Sequence, residues 1–250
     1  MDLAVKSELV EQVCAFTEWL GAGRKLTQTG RLTLADARAL VPLLGTGDGL
    51  DQAIGDRVYK TRSSEELPDL TLVVECAKVT RLVRKTGQRL VPVKKNQALL
   101  GDPQKLWLAL FTGFGRLGQA FLHTGFGESL LRPEFADGSR AALALLYNTD
   151  GAVDIGNLCS IVWEVVSAPW VLDDLTELQL ETLRRSNDRD TKLTLDVLRR
   201  LGAVVLRDKS AELTELGRFG MRRISGGPEA GDRIYQVKIT LLEIEGSAVW

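Results

Sequence analysis

The chain has 250 residues, a length that fits one large domain or two ordinary ones. Apolar residues make up 44% and charged residues 26%, which argues against a disordered chain. The net charge of −1 gives no overall basic field, so nucleic acid could bind only at a local patch. The chain lacks an apolar run of the roughly 18 residues that a membrane span needs, and its start lacks a signal-peptide pattern. We expect a cytoplasmic protein without a membrane partner.

Three cysteines, Cys14, Cys76 and Cys159, stand far apart in apolar helical patterns. Their spacing is unlike that of metal ligands, and an odd number argues against a disulfide framework. Cysteine outside a disulfide usually behaves as a small buried apolar residue. We therefore predict three buried thiols in a reducing compartment, and no metal site or cofactor.

The first residues predict a helix, a short strand and a second helix. Ser7 is suited to cap a helix that Gly21 ends. A strand candidate follows at 24–27, closed by a turn. Thr33 with an aspartate three residues later resembles a capping box, and the helix it starts is expected to be disturbed at Pro42.

A linker, a third helix and a hairpin are expected next. Residues 45–68 are rich in glycine and charge and predict a linker. An amphipathic helix pattern covers 70–82. Two short apolar runs at 82–84 and 89–93 flank a polar four-residue turn around Gly87, which predicts an antiparallel hairpin. Helix, strand, helix, helix and hairpin is the order of a winged helix.

The second half repeats part of this order. Asp102 before Pro103 predicts a helix start. A polar break is expected at 186–190, with Asp188 and Asp190 as solvated turn residues. The remaining candidates are helices at 141–147, 155–166, 175–183, 193–201 and 216–224, and a second hairpin at 202–214 with its turn at 208–210. The paired carboxylates Asp173, Asp174 and Glu177 would complement the dipole of the helix starting at 175.

The fold class predicted is mainly α with small β-hairpins (α+β): two winged-helix-like modules in tandem plus a terminal β-strand. The first module would span 1–100, and a helical domain at 101–225 would end in the second winged-helix-like unit. After a linker at 225–231, apolar and polar residues alternate at 235–241 and predict a strand. A lone strand cannot satisfy its edge, so we expect 232–250 to open a truncated third domain, extended and poorly buried on one face.

This last segment carries a family resemblance. Tyr235-Gln236-Val237-Lys238-Ile239-Thr240-Leu241, with Ile244 and Val249-Trp250, resembles the opening strand of the plasmid pRiA open-reading-frame-three-like family, also labelled insertion-element passenger or TnpR-like. The upstream block around Trp19-Leu20-Gly21, Arg24-Lys25-Leu26-Thr27, Thr29-Gly30 and Asp36-Ala37-Arg38 looks like the amino-terminal region often joined to that domain. The resemblance implies an accessory region with most of the named domain missing. No catalytic residue carries over, because no catalytic serine context supports recombinase chemistry.

Two glycine motifs and one histidine suggest chemistry but have simpler explanations. Residues 113–118 fit the dinucleotide pattern G-x-G-x-x-G, yet they follow a helix start where the pattern needs a strand. We therefore expect a helix-ending turn. The glycine-rich 45–49 lacks the Lys of a phosphate loop, and Asp48 would repel phosphate. His123 is the only histidine and is expected to cap or pack at a helix end.

The basic stretch from Lys78 to Lys105 holds eight cations and one anion, Asp102. In a winged helix these cations would lie on the third helix and the wing, which contact the groove and phosphates. Clear base-reading residues are not evident, since Thr71, Glu75 and Lys78 are the polar positions on the third helix. The alternative is a solvated hairpin whose charges prevent edge aggregation. The predicted nucleic-acid site comprises Lys78, Arg81, Arg84, Lys85, Arg89, Lys94 and Lys95.

Two functional hypotheses follow, and an enzyme is a less favoured third. The first is a non-enzymatic winged-helix protein that binds double-stranded DNA as an accessory factor of a mobile element. The second is a scaffold whose winged helices dock a protein partner or the missing carboxyl-terminal domain. Trp107, Trp163 and Trp170 are predicted to lie in the core.

Overall fold

The structure is a computed structural model that describes residues 6–122 and 127–224. Within these ranges the chain is mainly helical with small antiparallel sheets, which confirms the α+β prediction. None of the helices in these ranges is long and apolar enough to cross a membrane. His123 and the predicted strand and third domain at 232–250 lie outside the described residues.

The first unit spans residues 8–92 and has the predicted order. Its elements are α1 (Glu8–Leu20), β1 (Arg24–Lys25), α2 (Leu34–Leu44), β2 (Gln52–Ile54), β3 (Arg57–Tyr59), α3 (Pro68–Val79), β4 (Val83–Thr86) and β5 (Arg89–Pro92). The predicted caps are present, since the hydroxyls of Ser7 and Thr33 accept hydrogen bonds from the backbone amides of Val10 and Asp36. The helix expected to be disturbed at Pro42 continues through this residue to Leu44.

The rest of the described chain forms a connecting segment, a second unit and a last helix. The connection holds α4 (Pro103–Gly113) and α5 (Gly118–Phe121). The second unit spans residues 135–213 and holds α6 (Phe135–Asn148), β6 (Val153–Asp154), α7 (Ile155–Ser167), α8 (Glu177–Arg200), β7 (Val204–Arg207) and β8 (Ser210–Leu213). The last helix is α9 (Glu215–Ile224).

The two units share one topology. Each forms a three-stranded antiparallel sheet in which the short first strand pairs with the last, in the orders β1-β5-β4 and β6-β8-β7. The match extends to single hydrogen bonds at the edge of each hairpin. Leu26 N donates to Gln88 O at 2.8 Å, as Ile155 N does to Lys209 O at 2.8 Å. The second unit is therefore a topological repeat of the first.

The corner between the third helix and the hairpin is also repeated. Leu82 N donates to Ala77 O, and Ala203 N donates to Leu198 O in the same way. The residue before this donor has a positive φ in both units, 57° at Arg81 and 77° at Gly202. This conformation suits glycine and is uncommon for other residues, so Arg81 occupies a position where glycine would fit better.

The units pack against each other through the end of α8. Arg200, 7% exposed, donates from Nε to Glu8 Oε1 at 3.1 Å, forms an ion pair with Asp69, and donates to Gln12 Oε1 at 3.2 Å. The indole of Trp107 on α4 donates to Leu201 O at 2.7 Å. Buried apolar residues from both units belong to one continuous cluster. A buried arginine with several acceptors is thus the polar centre of this contact.

Helix α3 is capped from outside its own sequence neighbourhood. Leu67, the residue before it, offers no side-chain cap. Instead the carboxylate of Asp48 accepts the amides of Asp69 at 3.1 Å and Leu70 at 2.8 Å. These amides would otherwise lack partners. Asp48 is therefore a helix cap.

The predicted polar break at 186–190 is wrong. These residues lie in the middle of α8, and Asp190 is fully buried between Arg132, at 3.0 Å, and Arg189, at 2.8 Å. Asn187 is also fully buried and accepts the amide of Leu131 at 3.0 Å. These polar residues find hydrogen-bond and ion-pair partners inside the protein, so a polar stretch in the sequence does not indicate solvent exposure here.

Two further expectations need correction. The predicted linker at 45–68 contains the β2–β3 hairpin, whose base is held by Asp51: its carboxylate accepts two hydrogen bonds from Arg38 at 2.7 Å each. Trp170 is 45% exposed and outside the core, whereas Trp107 is fully buried as predicted. Trp170 lies three residues after the end of α7, so the helical spacing of apolar residues does not predict whether its side chain is buried.

Candidate nucleic-acid interface

The first hairpin forms as predicted, with a tighter turn. Strands β4 and β5 pair antiparallel, and Thr86 faces Arg89, so only Gly87 and Gln88 form the turn. Gly87 has φ 57°, which favours glycine in two-residue hairpin turns. Burial of Val83 and Leu90 fixes one face of the hairpin on the core. The strand pairing is therefore fixed, and it sets the positions of the charged side chains that are exposed on the hairpin.

An open groove of about 410 Å³ runs along β4, the edge strand of the sheet. Its lining includes no aspartate or glutamate among the described residues. It is lined by Lys78, Arg81, Val83, Arg84, Lys85, Val93, Lys95 and Asn96. Five of the seven predicted site residues thus share one surface concavity.

Backbone and amide contacts place these cations. Lys78 lies in the last turn of α3, where its ammonium pairs with Glu75 at 2.6 Å. The residue after β5 is tied to the residue before β4, since Val93 N donates to Leu82 O at 2.8 Å. Asn96 Nδ2 donates to Arg81 O at 2.9 Å. These bonds fix the segment that carries Lys95 beside the end of α3.

Two predicted site residues lie outside the groove. Arg89 donates to Gly23 O at 3.1 Å and faces Lys25 of β1 across the sheet. Lys94 is exposed but does not line the groove. Lys25 is an exposed cation that the sequence reasoning did not include in the site. Only the strand register, which joins residues far apart in sequence, brings it beside Arg89.

Helix α3 is too covered to enter a DNA groove. None of its residues is fully exposed, and it packs against α1, α2, α4 and α5. Thr71 donates to its own helix at Leu67 O, and Glu75 pairs with Lys78. Base readout needs side chains that reach the base edges. The accessible cations therefore suit phosphates, which carry no sequence information directly.

The second hairpin has the same register but a different charge. Arg207 lies 3.8 Å from Glu212, and Asp208 precedes Lys209 in the turn. Val205 stands where the first hairpin has Arg84 and is exposed. The charges of the second hairpin balance, so it offers no comparable attraction to an anion.

The thiols are poorly suited to chemistry. Burial raises the pKa of Cys76 to about 12 and that of Cys159 to about 11, and both are buried as predicted. Cys14 is only half-buried, yet burial and nearby Glu18 and Glu11 raise its pKa as well. The thiolate is the reactive form, so all three side chains are held as unreactive thiols.

The dinucleotide-like motif forms the predicted helix-ending turn. Helix α4 ends at Gly113, a 3₁₀ turn covers Phe114–Arg116, and α5 starts at Gly118. A strand would have to precede the motif for nucleotide binding. Among residues 6–122 and 127–224, no group of three or more His, Cys, Asp or Glu side chains could hold a metal ion.

Comparison with known proteins gives no identification: no family model, curated protein or solved structure matches this chain.

Proposed function

We propose that both units are winged helices and that the first binds double-stranded DNA without catalysis. The observation that carries this proposal is the groove along β4, whose lining among the described residues holds five cations and no carboxylate. Lys78, one of the five, pairs with a carboxylate outside the lining, that of Glu75. Such a surface attracts phosphates and releases their counterions, which makes affinity fall steeply with salt. The shared helix–strand–helix–helix–hairpin order of the units supports the fold assignment.

The binding is expected to be largely independent of DNA sequence. The third helix, which reads bases in most helix-turn-helix proteins, is covered here and carries Glu75. The hairpin and the end of α3 would follow the backbone instead. The resemblance at 235–250 supports a role as an accessory factor of a mobile element in the cytoplasm.

The test compares charge removal in the two hairpins. The variant R84A/K85A/K95A removes three groove cations, and R207A/K209A removes two exposed cations from the second hairpin. Binding to a fluorescent duplex is titrated at several salt concentrations. The groove variant should flatten the log–log salt slope by about 3, near one unit per lost phosphate contact. The second variant should leave the slope unchanged.

Two outcomes would contradict the proposal. One is a wild-type chain that binds no duplex at low salt. The other is an equal loss in both variants, which would show that affinity follows overall charge. Circular dichroism checks that the exposed substitutions leave the fold intact, since surface changes usually alter stability by less than ~0.5 kcal/mol.

A second candidate function, docking of a protein, is favoured by a different surface. The turn between α7 and α8 exposes Trp170 and Val171, the latter by 83%, and the first turn of α8 exposes Leu178 by 73%. Large exposed apolar patches mark protein interaction sites. This surface lies in the second unit, whereas the basic groove lies in the first, so both functions can coexist.

A further inference from the structure

The third helix of the second unit is twice as long as its counterpart. Helices α3 and α8 end at equivalent corners, but α3 has 12 residues and α8 has 24. The additional residues, 177–188, therefore form an amino-terminal extension, here named the α8 extension. The topology of the unit does not require it, because the first unit forms the same sheet without it.

The α8 extension and the turn before it expose an apolar patch. Of the twelve large apolar side chains exposed in the described residues, five lie between positions 165 and 178. They are Val165, Trp170, Val171, Leu175 and Leu178, and together they are named the α8 patch. Such a concentration marks an interaction surface, whereas scattered exposed apolar residues do not.

The patch is held in a fixed conformation. Trp170 N donates to Ser167 O at 2.9 Å, and Leu175 N donates to Leu172 O at 3.0 Å. Leu172 packs against the core. Thr176 caps α8 reciprocally with Gln179. A surface ordered before binding loses little conformational entropy on association, which suits a specific partner.

The charges around the patch are ordered along the chain. Among the fully exposed charged residues at 173–192, four acidic residues come first and three basic residues follow. They are Asp173, Asp174, Glu177 and Glu181, then Arg184, Arg185 and Lys192. Asp188 and Arg189 are half-buried, and Asp190 is buried and paired with Arg189. A second copy running antiparallel would place each acidic half against a basic half, whereas a strongly charged partner would match only one half.

We propose that the α8 patch is a homodimer interface in which two α8 extensions cross antiparallel about a two-fold axis. In such an interface the same surface serves both copies. Leu178, which lies between Asp174 and Arg185 in sequence, would be buried against the partner's patch. Asp174 would approach the partner's Arg185, and the two helix dipoles would oppose each other. The inference does not depend on DNA binding.

The first experiment measures self-association of the full chain by sedimentation equilibrium without DNA. Leu178→Asp should weaken the dimer by at least ~100-fold, because symmetry places the buried charge at the interface twice. Ile54→Asp is the matched control, since Ile54 is a comparably exposed apolar residue (64%) on the first unit. It should leave the dimer unchanged, and circular dichroism should show that both variants keep the helical content of the wild type.

A charge exchange tests the antiparallel geometry. Asp174→Arg and Arg185→Asp should each weaken the homodimer, because like charges then face each other. Mixing the two variants should restore association as a one-to-one heterodimer, in which each Arg faces an Asp. The combined variant D174R/R185D should again form a homodimer.

A wild-type chain that stays monomeric up to ~100 µM, a range that detects even weak complexes, would overturn the proposal. The patch would then be covered by residues 225–250 or by another protein. A dimer that Leu178→Asp leaves intact would also overturn it. Association that the single charge variants weaken and the mixture fails to restore would exclude the antiparallel arrangement.

Discussion

The two hairpins of this protein share a backbone and differ in surface. In the first, the exposed positions include Arg84, Lys85 and Arg89, and in the second the paired positions are Val205, Leu206 and Ser210. The buried positions stay apolar in both hairpins. The comparison teaches that the apolar face sets the fold, which leaves the exposed face free to acquire a separate function.

The third helices show the same division. Both carry an acid–base pair one turn apart, Glu75 with Lys78 at 2.6 Å and Asp196 with Arg199 at 2.8 Å. The residue that ends each helix differs, since α3 ends at Val79 and α8 ends at Arg200. Only the second unit therefore uses the end of this helix as a polar clamp on the other unit.

The largest effect is expected from breaking this clamp. Arg200→Ala would remove the buried guanidinium shared by Glu8, Asp69 and Gln12 and should lower the free energy of unfolding by about 2–3 kcal/mol. This is less than for a fully buried pair, because the carboxylates of Glu8 and Asp69 are 45% and 37% exposed. The neighbouring exposed Arg199→Ala should cost no more than ~1 kcal/mol. Urea denaturation measures both, and equal losses would show that the clamp does not hold the units together.

The same variant should have a pH signature. Burial already raises the pKa of Asp69 despite Arg200, and removal of Arg200 should raise it further. A folded-state pKa above the unfolded value favours the folded state at low pH, and this contribution is lost as pH rises. The difference between wild type and Arg200→Ala should therefore shrink as pH falls through the folded-state pKa of Asp69, which lies above its ordinary value in both proteins. A constant difference down to pH 3 would contradict this account.

A transplant would sharpen the comparison of the hairpins. Val205→Arg with Ser210→Arg gives the second hairpin counterparts of Arg84 and Arg89. If surface charge on this backbone suffices for phosphate contact, DNA affinity at low salt should rise about tenfold and the salt slope should steepen by up to ~2. The same titration as above measures it. An unchanged affinity would show that the end of α3 and the segment carrying Lys95 are also required.

A smaller effect is expected at the helix corner. Arg81→Gly would give the first unit the residue that the second has at Gly202 and would remove the cost of a positive φ. The stability should rise by at most ~1 kcal/mol, while DNA binding weakens by the loss of one phosphate contact. Calorimetry and titration of the same sample would test the trade-off. A loss of both stability and affinity would refute it.

The smallest effect concerns a hairpin that only the first unit has. Two hydrogen bonds from Arg38 and the amide of Thr61 hold the pKa of Asp51 at about 2. Because the pKa of Asp51 is lower in the folded state than its unfolded value near ~3.9, the ionised carboxylate stabilises the folded hairpin at pH values above ~3.9. This stabilisation is lost as the pH falls towards ~2. Asp51→Asn should therefore speed amide exchange at 52–59 at neutral pH, with little change in overall stability. Exchange equal to wild type would contradict this.

Local signals in the sequence were sufficient for part of this structure. Caps at Ser7, Thr33 and Asp102 and the hairpin turn at Gly87 depend on neighbouring residues, so they could be predicted. The continuity of α8 could not, because one of the two partners of Asp190, Arg132, is remote in sequence.

The candidate site shows the same limit. The sequence supplied the seven cations, and five of them line one groove. Which five could not be predicted, because that depends on where the segment after β5 folds back on the α3–β4 corner. The apolar patch at Trp170 was missed as well, because an apolar pattern cannot distinguish burial in the core from burial by a partner.

The cap that Asp48 provides to α3 has a consequence for the order of folding. A helix capped by its own sequence can begin locally, whereas α3 gains its cap only when the loop from Asp48 to Asp69 closes. Loop closure costs entropy before the contacts form, so the amino-terminal turn of α3 should be completed late. Asp48→Ala would then mainly accelerate unfolding and leave the folding rate nearly unchanged.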